Sequence, residues 1–183
     1  MTNRAHTFVF TDLVGFTALT ADHGDDRAAD VCQDFYAHVR ELLPGHRAEE
    51  VKTLGDGLML RGEDPQLAVG LGVRIVEGLA ELPAFPAVRV GMHTGPAVQR
   101  AGDWYGTTVN VAARLCSAAG GGEVLVSDST RRAAGRLRKI ALEEERLHWL
   151  KNVSEPVPAH LAVQRSCALA KPRFLRQLKV AHL

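Results

Sequence analysis

Long apolar runs are missing from this chain. No stretch approaches the roughly 18 residues of a membrane span, and the opening MTNRAHTF has no apolar signal core, so a cytoplasmic protein without a membrane span is expected. Neither sign of charge is in excess, with 22 Lys plus Arg against 21 Asp plus Glu, and the balance gives no reason to expect a nucleic-acid partner. Cysteine is scarce. Cys32, Cys116 and Cys167 are an odd number without a CxxC pair, which argues against a disulfide framework and against zinc spacing. Cys32 and Cys116 are expected to be reduced, small core residues. There is no internal repeat. What remains is 183 residues, 46% of them apolar, enough to bury one real core.

The order of elements follows from periodicity and punctuation. Thr7 to Val14 is rich in β-formers and stops at Gly15, and Phe8, Phe10 and Asp12 share one parity, which presents a carboxylate at the sheet edge where the strand ends. Gly15-Phe16-Thr17 opens a short helical segment whose free N–H groups suit an anion. Asp25 to Leu43 is a helix with Val31, Phe35, Val39 and Leu42 on one face, ended by Pro44-Gly45. A second helix starts at Asp64-Pro65, with Leu67, Leu71, Ile75, Leu79 and Leu82 as its buried stripe and close packing at Gly70, Gly72 and Gly78. Val88 to His93 is a strand, and Ala97 to Gln99 its expected hairpin partner. A polar loop from Arg100 to Gly106 leads to a helix over about Thr108 to Ala118, then a short strand from Glu123 to Val126 and a helix capped by Ser127 or Asp128. Two or three further strands are expected around Ile140, Trp149 and Val157 to Val163. Strands with adjacent hairpins, mixed with helices, point to an α+β sandwich rather than a doubly wound sheet.

The stretch VKTLGDGLML, Val51 to Leu60, reads as a β-hairpin that carries Asp56 at its tip between two glycines. Lys52 stands four residues earlier, nominally on the same face. If the first strand and this hairpin are neighbours, Asp12 and Asp56 arrive together, and two carboxylates that close repel unless cations lie between them. That is the logic of a two-metal site acting on a substrate that brings phosphate oxygens of its own, and a nucleoside triphosphate is the obvious class.

Four blocks, FTDLVGFT (Phe10 to Thr17), VKTLGDGLML, RVGMHTG (Arg89 to Gly95) and GDWYGTTVNVAARL (Gly102 to Leu115), resemble the ordered signature blocks of class III nucleotidyl cyclases. The resemblance runs from about Thr7 to Val163. It implies a ferredoxin-like α+β sandwich, a mixed and mostly antiparallel sheet with helices packed on it, over a catalytic domain at 1–165. It also implies a homodimer arranged head to tail, with ATP bound at the subunit interface and two divalent cations per site, Mg²⁺ or Mn²⁺. By the same resemblance Asp12 and Asp56 match the metal-binding aspartates, and the backbone from Leu13 through Val14, Gly15 and Phe16 to Thr17 matches the turn that cradles the triphosphate. Lys52 and Asp103 match the pair that reads adenine, Asn110 orients the ribose and Arg114 stabilises the transition state. Arg89 matches an arginine on the β- or γ-phosphate, and Lys151 in HWLKNVSEP a lysine reaching the terminal phosphates. The implied activity is an adenylyl cyclase that closes cAMP and releases pyrophosphate.

Two rival classes fit less well. A module that binds nucleotide without turnover would have lost some of Asp12, Asp56, Lys52, Asp103, Asn110 and Arg114, and a diguanylate cyclase or polymerase palm would lack Lys52, Asp103 and the Asn110/Arg114 spacing. Other residues have plainer roles: His93 is expected to be a hydrogen-bonded structural histidine, and Trp104 and Tyr105 to pack beside the Asp103 loop. Residues 166–183, with Lys171, Arg173, Arg176 and Lys179 and no acid, form a basic tail expected as a short packed or frayed terminal helix.

Overall fold

The computed structural model describes residues 4–165, so the basic tail lies outside the described residues. Its spine is β1 (Ala5–Leu13), in which every residue from His6 to Thr11 is buried. A strand buried on both faces needs helices on both faces. Around it the sheet is completed by β2 (Ala48–Leu54), β3 (Gly57–Gly62), β4 (Val88–Pro96), β7 (Val124–Ser127), β8 (Ile140–Leu142) and β10 (Val157–Gln164), in the order β2-β3-β1-β4-β7-β10-β8. All neighbours run antiparallel except β4 and β7, which are parallel. β9 (Arg146–His148) adds to the free portion of β10.

Side-chain parity sorts two layers onto this sheet. Val9, Leu58, Leu60, Val90 and Met92 face α2 (Asp25–Leu42) and α3 (Pro65–Ala80), meeting Val31, Phe35, Val39, Leu71, Ile75 and Leu79. The alternate residues Phe8, Phe10 and Met59 face α4 (Thr107–Ala118), meeting Val109, Ala112 and Cys116. α4 lies unusually close to β4, because a Cβ on Gly91 would stand 1.9 Å from the Cys116 amide nitrogen. Two shorter helices, α1 (Phe16–His23) and α5 (Asp128–Ala134), follow β1 and β7. Among the described residues no helix is long and apolar enough to cross a membrane.

The α3 signals behave as their chemistry requires. The Asp64 carboxylate accepts from the N–H groups of Gln66 (2.8 Å) and Leu67 (3.2 Å), with Pro65 in the first helical position. A Cβ on Gly72 would lie 2.8 Å from Met92 Cε, and one on Gly78 would lie 2.7 Å from the His38 ring, so both glycines mark close packing. Gly70 has only ordinary contacts. Leu82 falls beyond the helix end and is 45% exposed, so the buried stripe stops at Leu79.

Three further expectations change. Ala97 to Gln99 does not pair with β4: β5 (Val98–Arg100) instead forms a separate hairpin with β6 (Asp103–Tyr105). Its two-residue turn, Ala101-Gly102, takes positive φ at both positions, 49° and 82°, which is the geometry a tight hairpin needs. Alanine at the first of them hides the turn from a search for Asn-Gly or Asp-Gly. Trp149 sits one residue past β9 and is 78% exposed rather than in a strand. Finally, β1 is interior to the sheet, so Asp12 stands at a strand end and not at a lateral edge.

Candidate active site

Register puts the two carboxylates side by side. Asp12 is the cross-strand partner of Gly57, and the Leu13 amide donates to the Asp56 carbonyl at 3.3 Å. The two glycines of the turn serve different needs. Gly55 takes the positive φ of 66°, whereas Gly57 makes room, since a Cβ there would lie 2.3 Å from the Thr11 carbonyl oxygen. The Tyr36 hydroxyl donates to the Gly55 carbonyl and braces the tip from α2. Burial pushes the Asp56 carboxyl above its ordinary value, and the Asp12 charge pushes it further in the same direction.

Arg89 enters from the other side of β1, directly across from Asp12. Its Nε and Nη2 donate to Asp12 Oδ2 at 2.7 and 2.5 Å, and its Nη1 donates to the Ser117 carbonyl at 3.2 Å. The resemblance implies a phosphate contact for this arginine; within the described residues it is tied to the aspartate and to the last turn of α4. Asp12 Oδ1 makes no hydrogen bond among the described residues.

A second group gathers near the other end of α4. Lys52 Nζ lies 2.5 Å from Asp103 Oδ2, and the Trp104 amide donates to Asp103 Oδ1 at 2.8 Å. The bond from Lys52 holds the Asp103 carboxyl below its ordinary value, helped by that amide. Lys52 owes its direction to an irregularity between Glu50 and Lys52, where Val51 is an extra, unmatched residue. Glu50 opposes Leu60, which faces α2 and α3, while Lys52 opposes Met59, which faces α4. With Val51 paired in the ladder Lys52 would oppose Leu58 and point to the wrong layer. The bulge lies upstream of Lys52 and leaves the four-residue spacing from Lys52 to Asp56 as it is in the sequence. Deleting Val51 is expected to make the ladder regular while leaving Lys52 opposite Met59, so the Lys52–Asp103 pair should survive, checked by retention of nucleotide-dependent thermal stabilisation.

Asn110 and Arg114 lie one turn apart on the exposed face of α4, and neither side chain has an ion-pair or hydrogen-bond partner among the described residues. In the turn before α1, the Leu13 and Val14 amides are already engaged, by Asp56 at 3.3 Å and by the Ala87 carbonyl at 2.8 Å. Free donors come instead from Phe16 and Thr17, in the first turn of α1 behind Gly15 at φ 78°. Lys151 is exposed in the connection from β9 to β10, away from these groups in sequence and without an ion-pair partner among the described residues.

The aromatic and histidine expectations divide. Trp104 packs against His6 and Phe8, with ring centroids 4.6 and 5.6 Å away, under the Arg61 guanidinium, but Tyr105 is 54% exposed. His93 is structural: its Nδ1 lies 2.9 Å from Ser127 Oγ and 3.1 Å from Ser129 Oγ. Burial pushes its pKa down to about 4. A histidine kept neutral by the fold is protonated first in the unfolded chain, so its contribution is full above about pH 6.5, falls with pH and levels off below about 4. The shift amounts to about 3 kcal/mol. Urea midpoints are expected to fall accordingly between about pH 7 and pH 4, and a His93→Gln variant should lose that part of the slope.

The profile of a family described as the adenylate and guanylate cyclase catalytic domain matches residues 2–151. The chain belongs to that family. Among cyclase relatives, it is 39% identical over 135 residues to a pH-sensitive adenylate cyclase of Mycobacterium tuberculosis, covering 72% of this chain and 33% of the relative. It is 36% identical over 126 residues to an adenylate cyclase of Streptomyces griseus, covering 69% of this chain and 32% of that one. The chain thus spans about a third of the length of the curated relatives it matches. A monomeric Trypanosoma brucei adenylate cyclase structure superposes with a TM-score of 0.77 at 25% identity, over 87% of this chain and 89% of the other. The cyclase fold is thus the mixed α+β sandwich with a mostly antiparallel sheet read from the sequence.

Proposed function

We propose that this protein is an adenylyl cyclase that converts ATP to 3′,5′-cyclic AMP and pyrophosphate, at sites shared by two copies arranged head to tail. One observation carries the choice of nucleotide. Lys52 and Asp103 hold a donor and an acceptor side by side, which complements the bare N1 and the exocyclic amine of adenine, whereas guanine presents a donor at N1 and an acceptor at O6. A guanylyl enzyme would call for an acceptor at position 52.

The reaction is internal to one nucleotide. The ribose 3′-oxygen bonds to the α-phosphorus, the bond from that phosphorus to the bridging oxygen breaks, pyrophosphate leaves, and the 3′-hydroxyl proton is released. Positioning and charge do nearly all the work. Asn110 orients the ribose, and the unpartnered Arg114 guanidinium meets the charge that develops on the α-phosphate. The first-turn amides of α1 at Phe16 and Thr17, with Gly15, receive the triphosphate, and Lys151 its terminal phosphates, while Arg89 stays on Asp12.

Asp12 and Asp56 fit a divalent cation: the carboxylates converge, Oδ1 of Asp12 is uncommitted, and Asp56 is raised by burial and by its neighbour's charge. Mg²⁺ or Mn²⁺ held there would acidify the attacking hydroxyl and offset triphosphate charge. Arg89 offsets part of the acidic charge on Asp12 within the chain.

Sharing between copies is supported by where the two groups lie. Arg89 reaches Ser117 in the last turn of α4, while Asp103 precedes its first turn, and a helix of 12 residues is ~18 Å long. Among the described residues no hydrogen bond joins the acidic group to the base-reading group. A cytoplasmic setting accords with the substrate. Purified protein given ATP or GTP with Mg²⁺ or Mn²⁺ should make cAMP from ATP. Binding without product would favour a non-catalytic module, and cGMP or a dinucleotide would overturn the reading.

A further inference from the structure

At the far end of β4 from Arg89, beyond His93, three potential ligands converge that the cyclase reading does not use. Asp128 opens α5, His160 lies on β10, and Glu145 lies between β8 and β9. One atom from each falls within 4.8 Å of the others. His160 is 8% exposed, and its Nδ1 stands 3.0 Å from the Glu143 carbonyl oxygen. A carbonyl only accepts, so Nδ1 carries a proton and the ring aims Nε2 the other way. That Nε2 is buried, has no hydrogen-bond partner, and faces Asp128 Oδ1 at 3.6 Å and Glu145 Oε2 at 3.7 Å.

With no proton on Nε2, three acceptors face one another and call for a positive occupant. A shared proton would draw nitrogen and oxygen to about 2.7–3.2 Å, shorter than either separation. Ligands on a tetrahedral ion with bonds of ~2.0–2.1 Å stand ~3.3 Å apart, within a few tenths of an ångström of both. Imidazole with two carboxylates is a donor set for zinc-like cations, and a histidine whose second nitrogen is fixed by a backbone carbonyl is the usual way such a ring is oriented. We propose that Asp128, Glu145 and His160 form a second cation site, separate from the Asp12/Asp56 pair, that binds Zn²⁺ or an ion of similar chemistry.

The neighbours set its strength. Arg131 Nε donates to Asp128 Oδ1 at 2.6 Å, and Arg132 Nη2 lies 2.5 Å from Oδ2. Both hold the carboxylate in place, and both repel an incoming cation, so the ion is exchangeable rather than a permanent structural element. Because Glu145 and His160 bracket the connection carrying Lys151, an ion here would tie that connection to α5. The site is thus a candidate input for regulation.

The test uses the full chain with Asp12→Asn and Asp56→Asn, which silences the acidic pair, dialysed to equilibrium against zinc chloride. One zinc per chain is expected, with binding weakened at least ~10-fold by Glu145→Gln and by His160→Gln. Arg132→Ala, on a side chain 74% exposed, should tighten binding. Cys167→Ser should leave it unchanged. Zinc should raise the melting temperature of the parent but not of Glu145→Gln. His160→Gln removes a buried ring and risks misfolding, so the two surface variants decide. No stoichiometric zinc, binding indifferent to Glu145→Gln, or binding lost with Cys167→Ser would each overturn the site.

Discussion

Asp56→Ala and Arg114→Ala proteins, each inactive alone, are expected to regain cyclase activity when mixed. Asp56 belongs to the group at the end of β1 and β3, and Arg114 to the exposed face of α4. Removing either should lower turnover by at least ~10³-fold, since each meets charge that the reaction creates or carries. If one copy supplies the acids and its partner supplies Arg114, a mixed dimer has one doubly damaged site and one intact site. Random pairing of equal amounts makes half the dimers mixed, so activity should return to about a quarter of the unmodified level. A site contained within one chain predicts no recovery at all. Asp56→Ala is the cleaner partner for this test than Asp12→Ala, because Asp12→Ala would also leave the half-buried Arg89 without its carboxylate. Mixtures shown to contain heterodimers, yet silent with ATP, would end the shared-site model.

Much of this was legible because residue types that do the chemistry also punctuate the fold. The Gly-Asp-Gly turn is at once a hairpin signal and an acid display, and Asp64-Pro65 announces α3 by the same hydrogen-bond accounting the structure fulfils. The apolar stripes of α2 and α3 are periodic, and the shared parity of Phe8 and Phe10 corresponds to the sheet face that α4 covers. What escaped the sequence depends on single residues that shift register. Val51 looks like one more strand residue, yet it is unmatched in the ladder, so counting it as paired assigns Lys52 to the wrong layer. Ala101-Gly102 lacks the usual turn signature and still closes the hairpin that presents Asp103. The pairing of Arg89 with Asp12 needs β1 and β4 to be neighbours, which parity within each strand does not reveal. The Asp128–Glu145–His160 cluster joins residues from three segments with no common motif, so only the fold brings them into view.

Lys52→Glu is expected to separate base recognition from everything else in the site. It removes the ammonium paired with Asp103 and sets a second carboxylate beside it, so the influence that holds the Asp103 carboxyl low is lost and its pKa should rise. Adenine N1 would then face an acceptor instead of a donor, and turnover of ATP should fall on the order of 10- to 100-fold for the loss of one charged hydrogen bond. GTP should not be gained in full, because guanine O6 still meets the acceptor Asp103. Combining Lys52→Glu with Asp103→Asn supplies an acceptor for N1–H and a donor for O6, and the double variant should prefer GTP. Both side chains lie at the surface, where an ion pair adds little to folding, so melting temperatures should stay close to that of the unmodified chain. Specificity should therefore change while stability does not, read as the ratio of kcat/KM for ATP and GTP. An unchanged ratio in a folded double variant would mean that Lys52 and Asp103 pair with each other and not with the base.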